Sequence, residues 1–72
     1  MQRTVDEITK VIGAQIIHLR KKKGLSQYRL AKLLFIEPST IGRIEKGLTN
    51  PTLKTLCNIA EVLEVDVREL IQ

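Results

Sequence analysis

The sequence is poor in cysteine and in aromatic residues, and it lacks any long apolar run. A single cysteine, Cys57, excludes an internal disulfide, and one Phe, one Tyr and no Trp require an aliphatic core. No stretch of about 18 apolar residues and no secretory signal pattern is present. We therefore expect a cytoplasmic protein with no membrane partner.

What is present is typical of one small globular unit. The 72 residues are 43% apolar and 28% charged, which is a folded rather than a disordered composition. We therefore predict a single domain over residues 1–72. A core of this size gives modest stability, so oligomerisation is expected to supplement it.

The net charge of +4 is unevenly distributed along the chain. Residues 20–54 carry nine Lys or Arg against two Glu, a net charge of +7, whereas residues 55–72 carry a net charge of −3. A basic middle opposed by an acidic end predicts a protein that turns one side toward a polyanion.

Capping signals and helical periodicity predict an all-α fold of five helices. Thr4 and Glu7 form a capping box for a first helix that runs to about Lys23. Gly13 inside that helix predicts a close contact with another helix, because glycine otherwise costs about 1 kcal/mol there. Thr52 caps a fourth helix, and Asp66 begins a short fifth helix. The fourth helix is predicted to bury these residues: Leu53, Leu56, Ile59, Ala60 and Leu63, with Cys57 as a small buried neighbour.

Residues 26–47 are predicted to form two short helices joined by a tight turn. Ser26 can cap the first helix, and Pro38 suits the first turn of the second, which Gly47 ends. In the second helix, about 38–46, Ile41 and Ile44 point to one side. Ser39, Arg43 and Lys46 follow at spacing i, i+4, i+7 and point to the other, so one face is buried and the other is polar and cationic.

Three segments together resemble the Xre/Cro-repressor type of helix-turn-helix domain. They are IGAQIIHLRKKKGLSQYRLAKLL, PSTIGRIEKG and NPTLKTLCNIAEVLEVDVREL, and they cover about five-sixths of the chain in register. The resemblance implies a lambda-repressor-like bundle that binds double-stranded DNA, with residues 26–47 as the helix-turn-helix. It also implies a nucleoid-associated location.

The resemblance implies a role for individual residues. Base-reading positions are Ser39, Thr40, Arg43 and Gln27. Backbone-contacting positions are Tyr28, Arg29, Lys46, Thr49, Asn50 and Lys54. A structural ion pair is expected between Arg20 and Glu45, and a dimer contact at Val62, Val65, Val67 and Ile71. Among the base-reading residues, Arg43 can form a bidentate contact to guanine.

Two positions depart from the pattern of that family. Phe35 and Glu64 occupy usual glycine positions, where a positive φ strains a bulky side chain by about 1–2 kcal/mol. Either the turns adopt another geometry or the strain is tolerated. Glu37 precedes the second short helix and is interpreted as its cap, or alternatively as an acceptor for a cytosine amino group.

Three functions are compatible with these features to different degrees. The leading hypothesis is a homodimeric transcriptional regulator, a repressor rather than an activator, that binds a roughly palindromic operator. The alternative is a protein-interaction module, such as the antitoxin of a toxin–antitoxin pair, which would bind a protein partner. An enzyme is the weakest reading, because His18 and Cys57 are single and no metal-ligand spacing is visible, so no cofactor or metal is expected.

Overall fold

The computed structural model describes residues 3–71 as a bundle of helices, with no β-strand in that range. The four α-helices are Val5–Lys22 (α1), Gln27–Leu34 (α2), Pro38–Glu45 (α3) and Leu53–Leu63 (α4). A 3₁₀-helix follows at Val67–Leu70. The all-α fold is therefore confirmed, but the prediction of five α-helices is wrong at the last element. The terminal residues of the predicted domain 1–72 lie outside the described range.

The helix beginnings form where the sequence places capping residues. The Thr4 hydroxyl accepts from the Glu7 N–H at 3.2 Å, and the Glu7 carboxylate accepts from the Thr4 N–H at 2.9 Å. Ser26 and Thr52 cap α2 and α4 through their hydroxyl oxygens in the same way. The Asp66 capping box is also present, but it begins a 3₁₀-helix of one turn. Capping chemistry thus marks where a helix begins and leaves its length undetermined.

Each of the five helical elements contributes one large side chain that is fully buried. In chain order these are Ile16, Leu30, Ile41, Ile59 and Leu70. Because every element supplies part of the same aliphatic core, the short 3₁₀-helix is needed to complete it.

Two residues of α4 are exposed where burial was predicted. Leu53 is 67% exposed and the Cys57 thiol is free and exposed. At 100° per residue, Cys57 lies about 110° from the centre of the buried stripe of α4, and Leu53 is the first residue of the helix. Cys57 therefore lies beside the buried stripe and Leu53 lies at the exposed start of the helix, so neither residue belongs to the core.

Both residues at the usual glycine positions keep the left-handed geometry. Phe35 has φ 58° and ends α2, and Glu64 has φ 59° and ends α4. In each case the following residue donates back into the last helical turn, Ile36 to the Ala31 carbonyl and Val65 to Ala60, both at 3.0 Å. These bonds close the helix end, so the strain is tolerated rather than relieved by another turn.

Gly13 lies at the contact between α1 and α3. A Cβ atom at this position would lie 2.6 Å from the Ile44 carbonyl oxygen and would also clash with the carbonyl of Glu45. The predicted close helix contact at Gly13 is confirmed, and the backbone of α1 touches the end of α3.

None of the helices over residues 3–71 combines the length and apolarity that crossing a bilayer would need.

Candidate nucleic-acid interface

Helix α3 has one buried face and one exposed face. Ile41 and Ile44 are buried, whereas Ser39, Arg43 and Lys46 are exposed and Thr40 is half-buried. Pro38 fits the first turn, where its missing N–H has no helical partner. The packing therefore leaves the polar and cationic stripe accessible along the length of the helix.

A buried ion pair fixes the C-terminal end of α3. The Arg20 Nε atom donates to Glu45 Oε2 at 2.7 Å, and Nη2 donates to Oε1 at 3.2 Å. The remaining Nη1 donates to the Leu25 carbonyl at 2.9 Å, so the guanidinium also holds the α1–α2 loop. Both charges must be desolvated, so the pair contributes more to the orientation of α3 than to net stability.

Gln27 joins the same network from the first turn of α2. Its Nε2 atom donates to Glu45 Oε1 at 2.7 Å. The carboxylate of Glu45 therefore links α1, α2 and α3. Sequence reasoning missed this bond, because the two residues are 18 positions apart and no local pattern connects them.

A shallow cleft lies between the outer side of α2 and the beginning of α3. Tyr28 and Lys32 line it, and the Lys32 ammonium lies 5.8 Å from the centre of the Tyr28 ring, within cation–π range. Glu37 lines the other side; its backbone has N-cap geometry, but its side chain makes no capping hydrogen bond. Glu37 is therefore the N-cap residue of α3, as predicted, but it caps through its backbone conformation, and its carboxylate makes no capping hydrogen bond. Lys32 was not identified from the sequence.

The remaining predicted backbone contacts differ in accessibility. These side chains belong to exposed residues: Arg29, Lys46, Asn50 and Lys54. The Thr49 hydroxyl, in contrast, is buried without a hydrogen-bond partner. In this rotamer it cannot reach a phosphate, so Thr49 is the least favourable member of the predicted set.

The acidic end of the chain is partly neutralised by local ion pairs. A hydrogen bond from the Lys23 ammonium lowers the pKa of Glu64, and the Arg68 guanidinium lowers the pKa of Asp66. Both carboxylates remain ionised at neutral pH, so the negative charge of residues 55–71 persists near the 3₁₀-helix.

Within residues 3–71 no group of His, Cys, Asp and Glu is suited to hold a metal ion.

The predicted dimer residues divide into two groups. Val62, Val65 and Val67 are half-buried and pack against the core, whereas Ile71 is 41% exposed. The three valines therefore serve the fold of one chain and still leave part of their apolar surface accessible.

Comparison with known proteins places the chain among helix-turn-helix proteins. The HTH_3 family model, described as helix-turn-helix, matches residues 16–70. RamB of Mycobacterium tuberculosis, named as an HTH-type transcriptional regulator, is 38% identical over 55 residues, which are 76% of this chain and 12% of RamB. The chain thus spans only a small part of that relative.

Two solved structures are similar over most of both chains. The restriction-modification controller protein C.AhdI from Aeromonas hydrophila has a TM-score of 0.82 and 35% identity, covering 86% of this chain and 94% of C.AhdI. The biofilm regulator SinR in complex with DNA has a TM-score of 0.80 and 37% identity, covering 85% and 98%. With the family model matching most of the sequence and these structures matching the fold, the chain belongs to the Xre-like HTH_3 family of helix-turn-helix proteins.

Proposed function

We propose that this chain is a DNA-binding transcriptional regulator that inserts α3 into the major groove of double-stranded DNA. One observation carries the proposal: α3 presents an exposed stripe of Ser39, Arg43 and Lys46, while its other face is buried and its end is fixed by Glu45. A helix held in this way can present side chains to base edges in a defined register.

Roles follow from the chemistry of each side chain. Arg43 is proposed to contact guanine O6 and N7, and Ser39 and Thr40 to contact base edges or a nearby phosphate. Contacts to DNA phosphates are proposed for the exposed side chains of Arg29, Lys46, Asn50 and Lys54. Such contacts fix the register of the protein on the duplex. Residues 1–72 are proposed to form one DNA-binding domain, acting in the cytoplasm at the nucleoid.

The proposal includes the oligomeric state of the protein. We propose a homodimer through Val62, Val65, Val67 and Ile71, whose two α3 helices enter successive major grooves about 34 Å apart. Such a dimer binds a roughly palindromic operator, and repression follows if the operator overlaps a promoter. The partly exposed valines and Ile71 support this choice of surface.

A binding selection from random duplex DNA at two salt concentrations tests the proposal. Enrichment of an inverted repeat, with half-sites about one helical turn apart, is the expected result. Recovery of no sequence, together with binding that disappears as salt rises, would instead identify a basic surface without base recognition.

Two single substitutions, one in α3 and one at the residue that follows it, separate base reading from phosphate contact. Arg43→Ala is expected to weaken binding to the selected site by about 5- to 150-fold and to remove the preference at one base pair. Lys46→Ala is expected to weaken binding to all sequences about equally and to lower the slope of log K against log salt by about one. Titrations with the selected and a scrambled duplex measure both effects, and identical behaviour of the two variants would contradict the assignment.

A further inference from the structure

Phe35, at the end of α2, is both strained and almost fully exposed. Its backbone has φ 58° and the residue is 95% exposed, so neither its conformation nor its ring stabilises the single chain. Glycine, the usual residue of the family at this position, would avoid both costs. A large apolar side chain held in solvent at such a position indicates a contact outside the chain.

A shallow groove between α2 and α4 lies beside Phe35. Its volume is about 160 Å³, and a cavity of about 150 Å³ can hold a benzene ring. The ring of Phe35 is exposed and does not fill this groove. Besides Phe35, both helices contribute residues to the lining: Leu33, Leu34, Asn58, Glu61 and Val62. The ring and the groove together are called the Phe35 patch.

We propose that a second copy of this chain covers the Phe35 patch, with the ring of each copy in the groove of the other. A two-fold contact brings the same patch of both copies together, so that patch must carry a projection and a matching recess. The Phe35 patch has both. The two rings would then meet near the two-fold axis, where aromatic pairs attract each other at centroid distances of about 4.5–7 Å.

Charge and continuity favour a second copy over DNA as the occupant. Glu61 is the charged residue among those that line the groove, and its carboxylate would repel DNA phosphates. Val62 lines the groove and also belongs to the proposed dimer contact, which continues to Ile71. The Phe35 patch therefore adjoins the surface already proposed to bind a second copy.

The area that two rings can bury shows that both parts of this surface are needed. Two aromatic side chains bury about 300–500 Å² in total, whereas specific interfaces bury about 1,200 Å² or more. The rings alone therefore cannot hold two copies together, and the contact must continue through Val62 to the rest of the proposed dimer surface. The inference rests on the proposed homodimer and adds Phe35 as its central side chain.

Fluorine NMR of the full chain without DNA tests the contact, because the chain has one phenylalanine. Incorporation of 4-fluorophenylalanine labels residue 35 alone. As the protein concentration rises, we expect the fluorine resonance to shift as the ring leaves solvent. The shift should follow the same dissociation constant that sedimentation equilibrium gives for the dimer.

Removal of the ring should weaken the dimer without unfolding the chain. Phe35→Asn is the chosen variant, because asparagine tolerates a positive φ. We expect the dissociation constant to rise about 10- to 30-fold. Thermal unfolding at a concentration where the chain is monomeric should show that the variant is folded.

Two alanine variants serve as controls. Leu48 is 69% exposed but is not among the residues that line the groove, so Leu48→Ala should leave the dissociation constant unchanged. Ile71→Ala should weaken the dimer through the contact proposed above. An equal loss for Leu48→Ala and Phe35→Asn would overturn the inference, because any loss of exposed apolar area would then have the same effect.

The remaining outcomes separate this inference from the proposed function. A dimer whose fluorine resonance does not move, or one that Ile71→Ala weakens and Phe35→Asn does not, would overturn the inference and leave the proposed homodimer intact. A chain that stays monomeric at about 1 mM would overturn both, and a different protein would then be the occupant of the patch. DNA recognition is measured separately by the binding selection, so its failure is distinguishable from either result.

Discussion

At the scale of single residues, the unusual feature is Phe35. It is the only phenylalanine of the chain, it has φ 58°, and it is 95% exposed. Its side chain adds almost nothing to the core, while its backbone conformation is one that L-residues disfavour by about 1–2 kcal/mol. Position 35 therefore combines strain with little compensating burial.

Replacement of Phe35 by glycine is expected to stabilise the fold. Glycine adopts a positive φ without a Cβ clash, so the free energy of unfolding should rise by about 1 kcal/mol, or about 4–8 °C in Tm. Thermal unfolding of Phe35→Gly and Phe35→Ala measures this. Alanine removes the ring but retains much of the strain, so Phe35→Ala should lie close to wild type; an equal gain in both variants would attribute the effect to the ring instead.

Single residues also show how far the sequence could predict the site. The helix caps and the exposed face of α3 could be predicted, because they depend on neighbours within one or two turns. The pairing of Arg20 with Glu45 was anticipated only from the family resemblance. The bond from Gln27 to Glu45, the buried hydroxyl of Thr49 and the exposure of Cys57 depend on how the helices pack, which periodicity does not specify.

At the scale of secondary-structure elements, two glycines have opposite environments. Gly13 in α1 lies against the backbone carbonyls at the end of α3, whereas nothing lies within 4 Å of a Cβ built on Gly42 in α3. Both are inside helices, where alanine is intrinsically favoured by about 1 kcal/mol. Helix propensity favours alanine equally at both positions. A difference between the two alanine variants in the free energy of unfolding therefore measures the effect of the contact between α1 and α3.

Matched alanine substitutions should therefore change stability in opposite directions. Gly13→Ala forces α1 and α3 apart and is expected to lower the free energy of unfolding by about 1–3 kcal/mol. Gly42→Ala meets no atom and is expected to raise it by about 1 kcal/mol. Urea titrations of both variants measure the changes. Stabilisation of the chain by Gly13→Ala would show that the two helix backbones do not touch.

The elements also differ in how well the sequence predicted them. The beginnings of α1, α2 and α4 were predicted to the residue, because each has a side-chain cap. The last element was predicted as an α-helix and is a 3₁₀-helix of four residues, Val67–Leu70. Its capping box has the same form as that of the long helix α1, and its last residue, Leu70, is buried in the core.

At the scale of the whole molecule, stability depends on carboxylates at the ends of helices. The backbone hydrogen bond from Thr4 lowers the pKa of Glu7, and hydrogen bonds from Lys23 and Arg68 lower the pKa of Glu64 and Asp66. A carboxylate with a lowered pKa in the folded state binds protons more weakly than in the unfolded chain. Its contribution is therefore complete above the unfolded pKa and is lost as the pH falls through the folded pKa.

The free energy of unfolding is accordingly expected to fall from about pH 5 toward pH 3. Glu7→Gln tests how much the Glu7 carboxylate contributes to this pH dependence, because glutamine can complete the capping box without titrating. The variant should be less stable than wild type at pH 7 and should approach it at pH 3, as measured by urea unfolding across the range. A constant difference at all pH values would exclude ionisation of Glu7 as the cause.

The exposed face of α3 has a consequence for how such a chain can diversify. Among residues 3–71, the side chains of Ser39, Thr40, Arg43 and Lys46 make no hydrogen bond or ion pair with the rest of the protein, whereas Glu45 and the two isoleucines hold the helix. Substitutions on that face therefore leave the supporting contacts unchanged. Under the proposed function, a change of target sequence would then require mutation of only a few surface residues, without repacking of the core.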